Sequence, residues 1–104
     1  MSLGTTDKQP SEQYYIEGEF DKVLGVGEVI TGTPTATVVD NAGVNATTDI
    51  IVAATLEITS DERGVTVQIK GGTEAKSPYK ITIKVETDLI NKFEVDGLIY
   101  VKDE

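Results

Sequence analysis

The chain has 104 residues and a formal charge of −9, from 18 acidic and 9 basic side chains, which is one domain's worth of polypeptide with a field that repels duplex DNA and anionic membrane surfaces. It contains no cysteine, histidine or tryptophan. Those absences exclude disulfides and thiolate metal sites, and they remove the usual general base and commonest metal ligand near neutral pH.

Residues 1–11 are polar and aperiodic, with Pro10 among them, and read as a flexible lead-in. The single β-sandwich domain is expected over 12–104. A first strand opens at Tyr14, where Tyr14, Ile16, Gly18 and Phe20 share one face and Tyr15, Glu17 and Glu19 the other. Asp21 to Gly27 carries two glycines and is expected to turn, with Val23, Leu24 and Val26 tucked into the core edge. Glu28–Gly32 and Thr35–Val39 are β-branched and make two strands, or one strand bent near Pro34, because proline cannot donate to a central ladder.

Asp40-Asn41-Ala42-Gly43 is a turn signal, and Asn45 to Asp49 continues as loop. Ile50 to Ile58 is ambiguous: Ala53-Ala54 suits a helix, while Ile50, Ile51, Val52, Thr55 and Ile58 favour an extended chain, and the segment is assigned as strand. Asp61-Glu62-Arg63-Gly64 is a second turn. Val65, Val67 and Ile69 then alternate with Thr66, Gln68 and Lys70, and after Gly71-Gly72 the chain alternates again through Tyr79, Ile81, Ile83 and Val85. Asp88 to Lys92 closes a hairpin, and Phe93, Val95, Gly97, Ile99 and Val101 line one face of the last strand. Period-two patterns at this spacing predict an all-β antiparallel sandwich of about seven strands, with a core drawn from these alternating residues.

No constellation is built for chemistry. Asp40, Asn41, Asn45 and Asp49, with Asp61 and Glu62 in another loop, lack the spaced acidic pattern of a calcium site and read as turn residues. Glu17/Glu19 and Glu94/Asp96 share strand faces without the aromatic floor that a glycosidase cleft needs. Ser2, Ser11, Ser60 and Ser77 have no histidine partner, and Lys76 beside Ser77 is not held in activating geometry. Gly25-Val26-Gly27 and Gly71-Gly72 lack the strand–helix setting of phosphate loops. The reading is therefore not an enzyme, with no catalytic, cofactor-binding or metal residues and no small-molecule substrate.

The longest apolar run, Ile50 to Leu56, is far shorter than the roughly 20 residues that cross a bilayer. Met1-Ser2-Leu3-Gly4-Thr5-Thr6 lacks the order of a signal peptide. Leu98 and Tyr100 fall on the outer face of the last strand. They either touch a neighbouring loop or N-terminal strand, or form a subunit contact through which the chain self-associates.

Tyr79, starting a strand after Gly71-Gly72-Thr73 and a short polar link, resembles the tyrosine corner of immunoglobulin-like sandwiches, in which the hydroxyl bonds back to upstream backbone. Two segments extend the resemblance: Gly27-Glu28-Val29-Ile30-Thr31-Gly32 with the strand ending at Val38-Val39, and Val67 to Thr73 followed by Tyr79–Thr87 and Phe93–Val101. This order resembles small immunoglobulin-like proteins of tailed-phage and prophage structural modules, near the head–tail joining genes. The corner equally suits a fibronectin type III domain. Ala75 replaces a usual second glycine, and Pro78 lengthens the corner.

The resemblance implies an immunoglobulin-like or fibronectin III-like sandwich acting as a virion component, with protein partners that are copies of itself or other virion proteins. It implies a location in the virion, or in the bacterial cytoplasm during assembly. The alternative is a binding or adhesion module of a larger bacterial surface or secreted protein, placed outside the cell.

Overall fold

A computed structural model describes residues 2–103, with Ser2 and Leu3 described by their backbone only. Two sheets face each other. One contains β1 (Ser2–Lys8), β7 (Lys92–Val101), β6 (Tyr79–Thr87) and β3 (Ile30–Val39), in that spatial order. The other contains β2 (Tyr14–Glu19), β5 (Gly64–Ile69) and the two-residue β4 (Glu57–Ile58). The alternation that reads as strands in the sequence is the burial pattern of β6: Tyr79, Ile81, Ile83 and Val85 are buried while Lys80, Lys84 and Glu86 are exposed. Between the sheets these residues meet Val65, Val67 and Ile69 of β5 and Val95, Ile99 and Val101 of β7.

On the outer face of β6 and β7, charges oppose across the ladder. Lys84 lies 3.9 Å from Glu94, Lys92 3.6 Å from Glu86, and Lys80 3.8 Å from Asp96. Such exposed cross-strand pairs contribute about 0–1 kcal/mol each. Their more secure effect is to hold the strands in register with the apolar side inward.

Several segments depart from the sequence reading. Most of the expected lead-in 1–11 is strand: β1 lies parallel to β7, with Thr5 opposite Leu98 and Lys8 opposite Val101. Backbone hydrogen bonds hold it, and they leave no trace in side-chain pattern. Its far end is pinned by the buried Lys8, whose ammonium donates to the carbonyls of Gln9 (2.7 Å) and Gly71 (2.6 Å). Burial lowers the pKa of that ammonium, and the Glu12 carboxylate acts in the opposite sense.

Ile30–Val39 is one strand, with a register shift between Thr31 and Thr35 where Gly32 takes φ +71° ahead of Pro34. The segment 50–58 is not a strand along its length. Thr47–Ile50 makes one helical turn, α1, that drops Ile50 into the core; Ile51 then pairs with Ile69, and only Glu57–Ile58 is strand. Tertiary burial of Ile50 overrides the local β propensity. The core also takes in Leu24, Ile30, Val38 and Ala46, whereas Tyr14, Ile16 and Phe93 are only partly buried against it.

Candidate interaction surfaces

The corner before β6 is built from backbone up. Gly71 and Gly72 both hold positive φ, +57° and +90°, a region that side chains disfavour. The turn they make lets the Thr73 N–H donate to the Tyr79 hydroxyl at 3.0 Å, while the Tyr79 ring is buried. A Cβ on Gly72 would lie 2.8 Å from Val101 Cγ2 and 3.3 Å from the Tyr79 ring, so the backbone here closes directly onto the end of the core. Gly71, Gly72, Thr73 and Tyr79 thus form one packed unit with a structural role.

Leu98 and Tyr100 are separated in environment. Because β1 covers the flank of β7, the last strand is not a sheet edge. Leu98 is half-buried between Thr5 and Lys80, its partners on the adjoining strands. Tyr100 stays 40 % exposed. It borders a groove of about 580 Å³ at this end of the sandwich, together with Pro78, Asp7, Glu12 and Glu74.

The opposite end carries a feature that sequence reading misses. The loop Asp21–Val29, after β2, and the loop Asp88–Asn91, between β6 and β7, are tied by one buried carboxylate. Glu28 accepts from the Gly25 N–H (2.8 Å), the Thr87 hydroxyl (2.5 Å) and the Asn91 side-chain amide (2.8 Å). Those bonds, the Gly25 amide first, hold its pKa below the usual carboxylate range. Asp88 adds two links to Val29: its N–H donates to the Val29 carbonyl at 3.1 Å, and its carboxylate accepts from the Val29 N–H at 3.2 Å. Arg63 joins the third loop, donating to the Glu28 carbonyl and pairing with Asp21 at 2.7 Å.

From this rigid base, aliphatic side chains project outward. Leu24 is buried as expected, but Val23 and Val26 are not: Val26 is fully exposed, because its side chain stands at the apex of a turn between Gly25 and Gly27. Leu89 is 62 % and Ile90 88 % exposed. Ile90 also has φ +63°, an outlier for a β-branched residue. The signal for this tip in the sequence is the pair Leu89-Ile90 inside a four-residue hairpin loop, where polar turn formers are the norm.

Four of the loop residues considered as metal ligands are engaged in turn and loop hydrogen bonds. Asp40 accepts from the Ala42 and Val44 N–H groups, Asn41 donates to the Ala75 and Ser77 carbonyls, Asn45 accepts from Thr47 N–H, and Asp61 accepts from the Thr59 hydroxyl and Arg63 N–H. Among the described residues no group of three or more acidic side chains converges on a metal position. Glu17 and Glu19 are neighbours, and partial burial followed by the Glu19 charge raises the pKa of Glu17. Glu94 and Asp96 face Lys84 and Lys80, and Asp96 also accepts from the Thr82 hydroxyl at 2.7 Å.

No family model and no curated protein matches the chain. Solved structures do. The titin M3 domain superposes with a TM-score of 0.53 at 12 % identity, covering 97 % of this chain and 91 % of that one. A titin tandem of immunoglobulin domains superposes with a TM-score of 0.54 at 11 % identity, covering 97 % of this chain and 44 % of the tandem. The fold is an immunoglobulin-like β-sandwich.

Proposed function

We propose that the protein is a non-enzymatic assembly component that works through protein–protein contacts. The observation that carries this reading is the pole formed by Val26, Leu89 and Ile90. Exposed aliphatic side chains grouped on one rigid end lower solubility, and at Ile90 they come with backbone strain. Nothing in the packing of the core requires them there, so contact with another surface is the role that accounts for them.

The setting we infer is a phage or prophage virion, in the head–tail region. Its support is the sequence resemblance over Gly27 to Val101, whose corner residues are fold residues and carry over no catalytic group. The test is quantitative mass spectrometry of particles purified from a host that carries the gene. A fixed copy number per particle is expected, and absence from intact particles refutes the virion role. A second reading is a binding or adhesion module of a larger bacterial surface or secreted protein, since many cell-surface domains share this sandwich architecture. A long reading frame of repeated sandwiches, in place of neighbouring portal, capsid and tail genes, decides for it.

A further inference from the structure

Sheet membership changes between β1 and β2. β1 lies in the four-stranded sheet and β2 in the three-stranded one, so residues 9–13 cross from one layer to the other. They are exposed apart from the half-buried Pro10. Glu12 holds this crossing closed: its N–H donates to the Gln9 carbonyl at 3.1 Å, and its carboxylate accepts from the Gln9 N–H at 2.6 Å.

β1 itself is attached chiefly through its backbone. No described residue ahead of Tyr14 belongs to the apolar core, and of residues 4–8 only Lys8 is buried. Two side-chain bonds add to its ladder with β7, from Lys8 Nζ to the Gly71 carbonyl and from the Tyr14 hydroxyl to the Asp7 carbonyl. Both ends of the strand are loosely packed. The groove of about 580 Å³ has Asp7, Gln9 and Glu12 in its walls, and a hollow of about 230 Å³ opens beside Gly4, Thr5 and Leu98. A segment held by exposed backbone bonds and few apolar contacts opens ahead of the rest of a fold.

We propose that β1 is an exchangeable strand: it leaves its own β7 while the rest of the sandwich stays folded, and β1 of a second copy takes its place, giving a reciprocal two-fold dimer. The contact already present names the occupant. A second copy carries the same strand, whose Thr5 falls opposite Leu98 and whose Lys8 ammonium reaches the Gly71 carbonyl. The bonds of β1 are re-made in the dimer, so the two forms differ at the hinge 9–13. Straightened, that hinge spans about 17 Å, more than the roughly 10 Å between packed sheets, so β1 clears its own body. This exchange stands apart from the assembly reading above, because it uses neither the aliphatic tip nor a virion setting.

The tethered strand sets the concentration scale. A short link gives β1 an effective concentration on the order of millimolar at its own β7, and a second copy competes only near that concentration. The charge of −9 on each copy opposes approach, so added salt should promote exchange.

The chain has no cysteine, so introduced thiols report exchange directly. Thr5→Cys and Leu98→Cys variants are incubated together at about 1 mM and oxidised. A disulfide-linked heterodimer is expected, with Thr5→Cys plus Leu89→Cys, whose thiol lies in the far hairpin, as the control. The hinge separates exchange from ordinary association. Glu12→Ala removes a bond made only in the closed form, so the wild-type association constant measured by sedimentation should rise about 5–30-fold, one hydrogen bond at each of two hinges. Lys8→Met removes a bond made in both forms and should leave that constant unchanged. In hydrogen exchange, the amides of β1 should open at least about 100-fold more readily than those of β6. A heterodimer no more abundant than the control overturns the proposal. So does a constant unmoved by Glu12→Ala, or β1 amides as protected as those of β6.

Discussion

Gly72→Ala is the most severe test of how the end of the core is built. Gly72 has φ +90°, where an L-residue is disfavoured by about 1–2 kcal/mol. The new Cβ would stand 2.8 Å from Val101 Cγ2, 3.1 Å from Ile50 Cδ1 and 3.3 Å from Tyr79 Cε1. All three neighbours are buried, so relief requires moving packed side chains, at about 1–3 kcal/mol. The loss of unfolded-state freedom returns about 0.4–1 kcal/mol. The net destabilisation is therefore about 2–4 kcal/mol. For a domain of this size that lowers Tm by about 10–20 °C.

Urea unfolding followed by far-UV circular dichroism measures it, since there is no tryptophan to report fluorescence. The control is a cycle with Val101→Ala, which removes the closest atom. If the clash dominates, the double variant is more stable than the sum of the single losses predicts by about 1 kcal/mol or more. A Gly72→Ala loss below about 1 kcal/mol refutes both the close approach and the strain argument, and strictly additive single losses refute the close approach.

Three further outcomes are expected. Tyr79→Phe, which removes the acceptor for the Thr73 N–H, should cost about 1 kcal/mol; a Tm unchanged within error contradicts a stabilising hydroxyl. Glu28 has a folded pKa below its unfolded value, so its stabilisation is fully present above the ordinary carboxylate range and is lost as pH falls through the depressed value. Glu28→Gln should flatten that acid limb of the stability curve. Glu17, with its pKa raised, contributes with the opposite sign in both proteins, so it cancels in the comparison; parallel acid limbs for wild type and variant would remove Glu28 as the loop tie. Ile90→Asn, which accepts the φ +63° conformation more readily, should stabilise the fold by about 1 kcal/mol in thermal unfolding; destabilisation would show that the isoleucine is packed rather than strained.

Much of the sandwich is legible in the order of the residues. The alternation of β5, β6 and β7 places each side chain on the inner or outer face, because a period of two leaves only one register that buries Val67, Ile81 and Val95 together. Gly71-Gly72 and Tyr79 likewise mark the corner, since positive φ and a buried hydroxyl have residue-type signatures. What the residues alone do not decide is held by groups without such signatures. β1 is polar, and its place beside β7 is a matter of backbone pairing and one lysine reaching the Gly71 carbonyl across 63 positions. Ile50 reaches the core through a helical turn that its own neighbours disfavour. Glu28 reads as a surface carboxylate until Thr87 and Asn91, remote in sequence, close over it. The placement of an aliphatic tip and a concave groove at opposite ends of the molecule is decided only by tertiary structure, because distance between surfaces is a property of packed sheets and not of any local pattern.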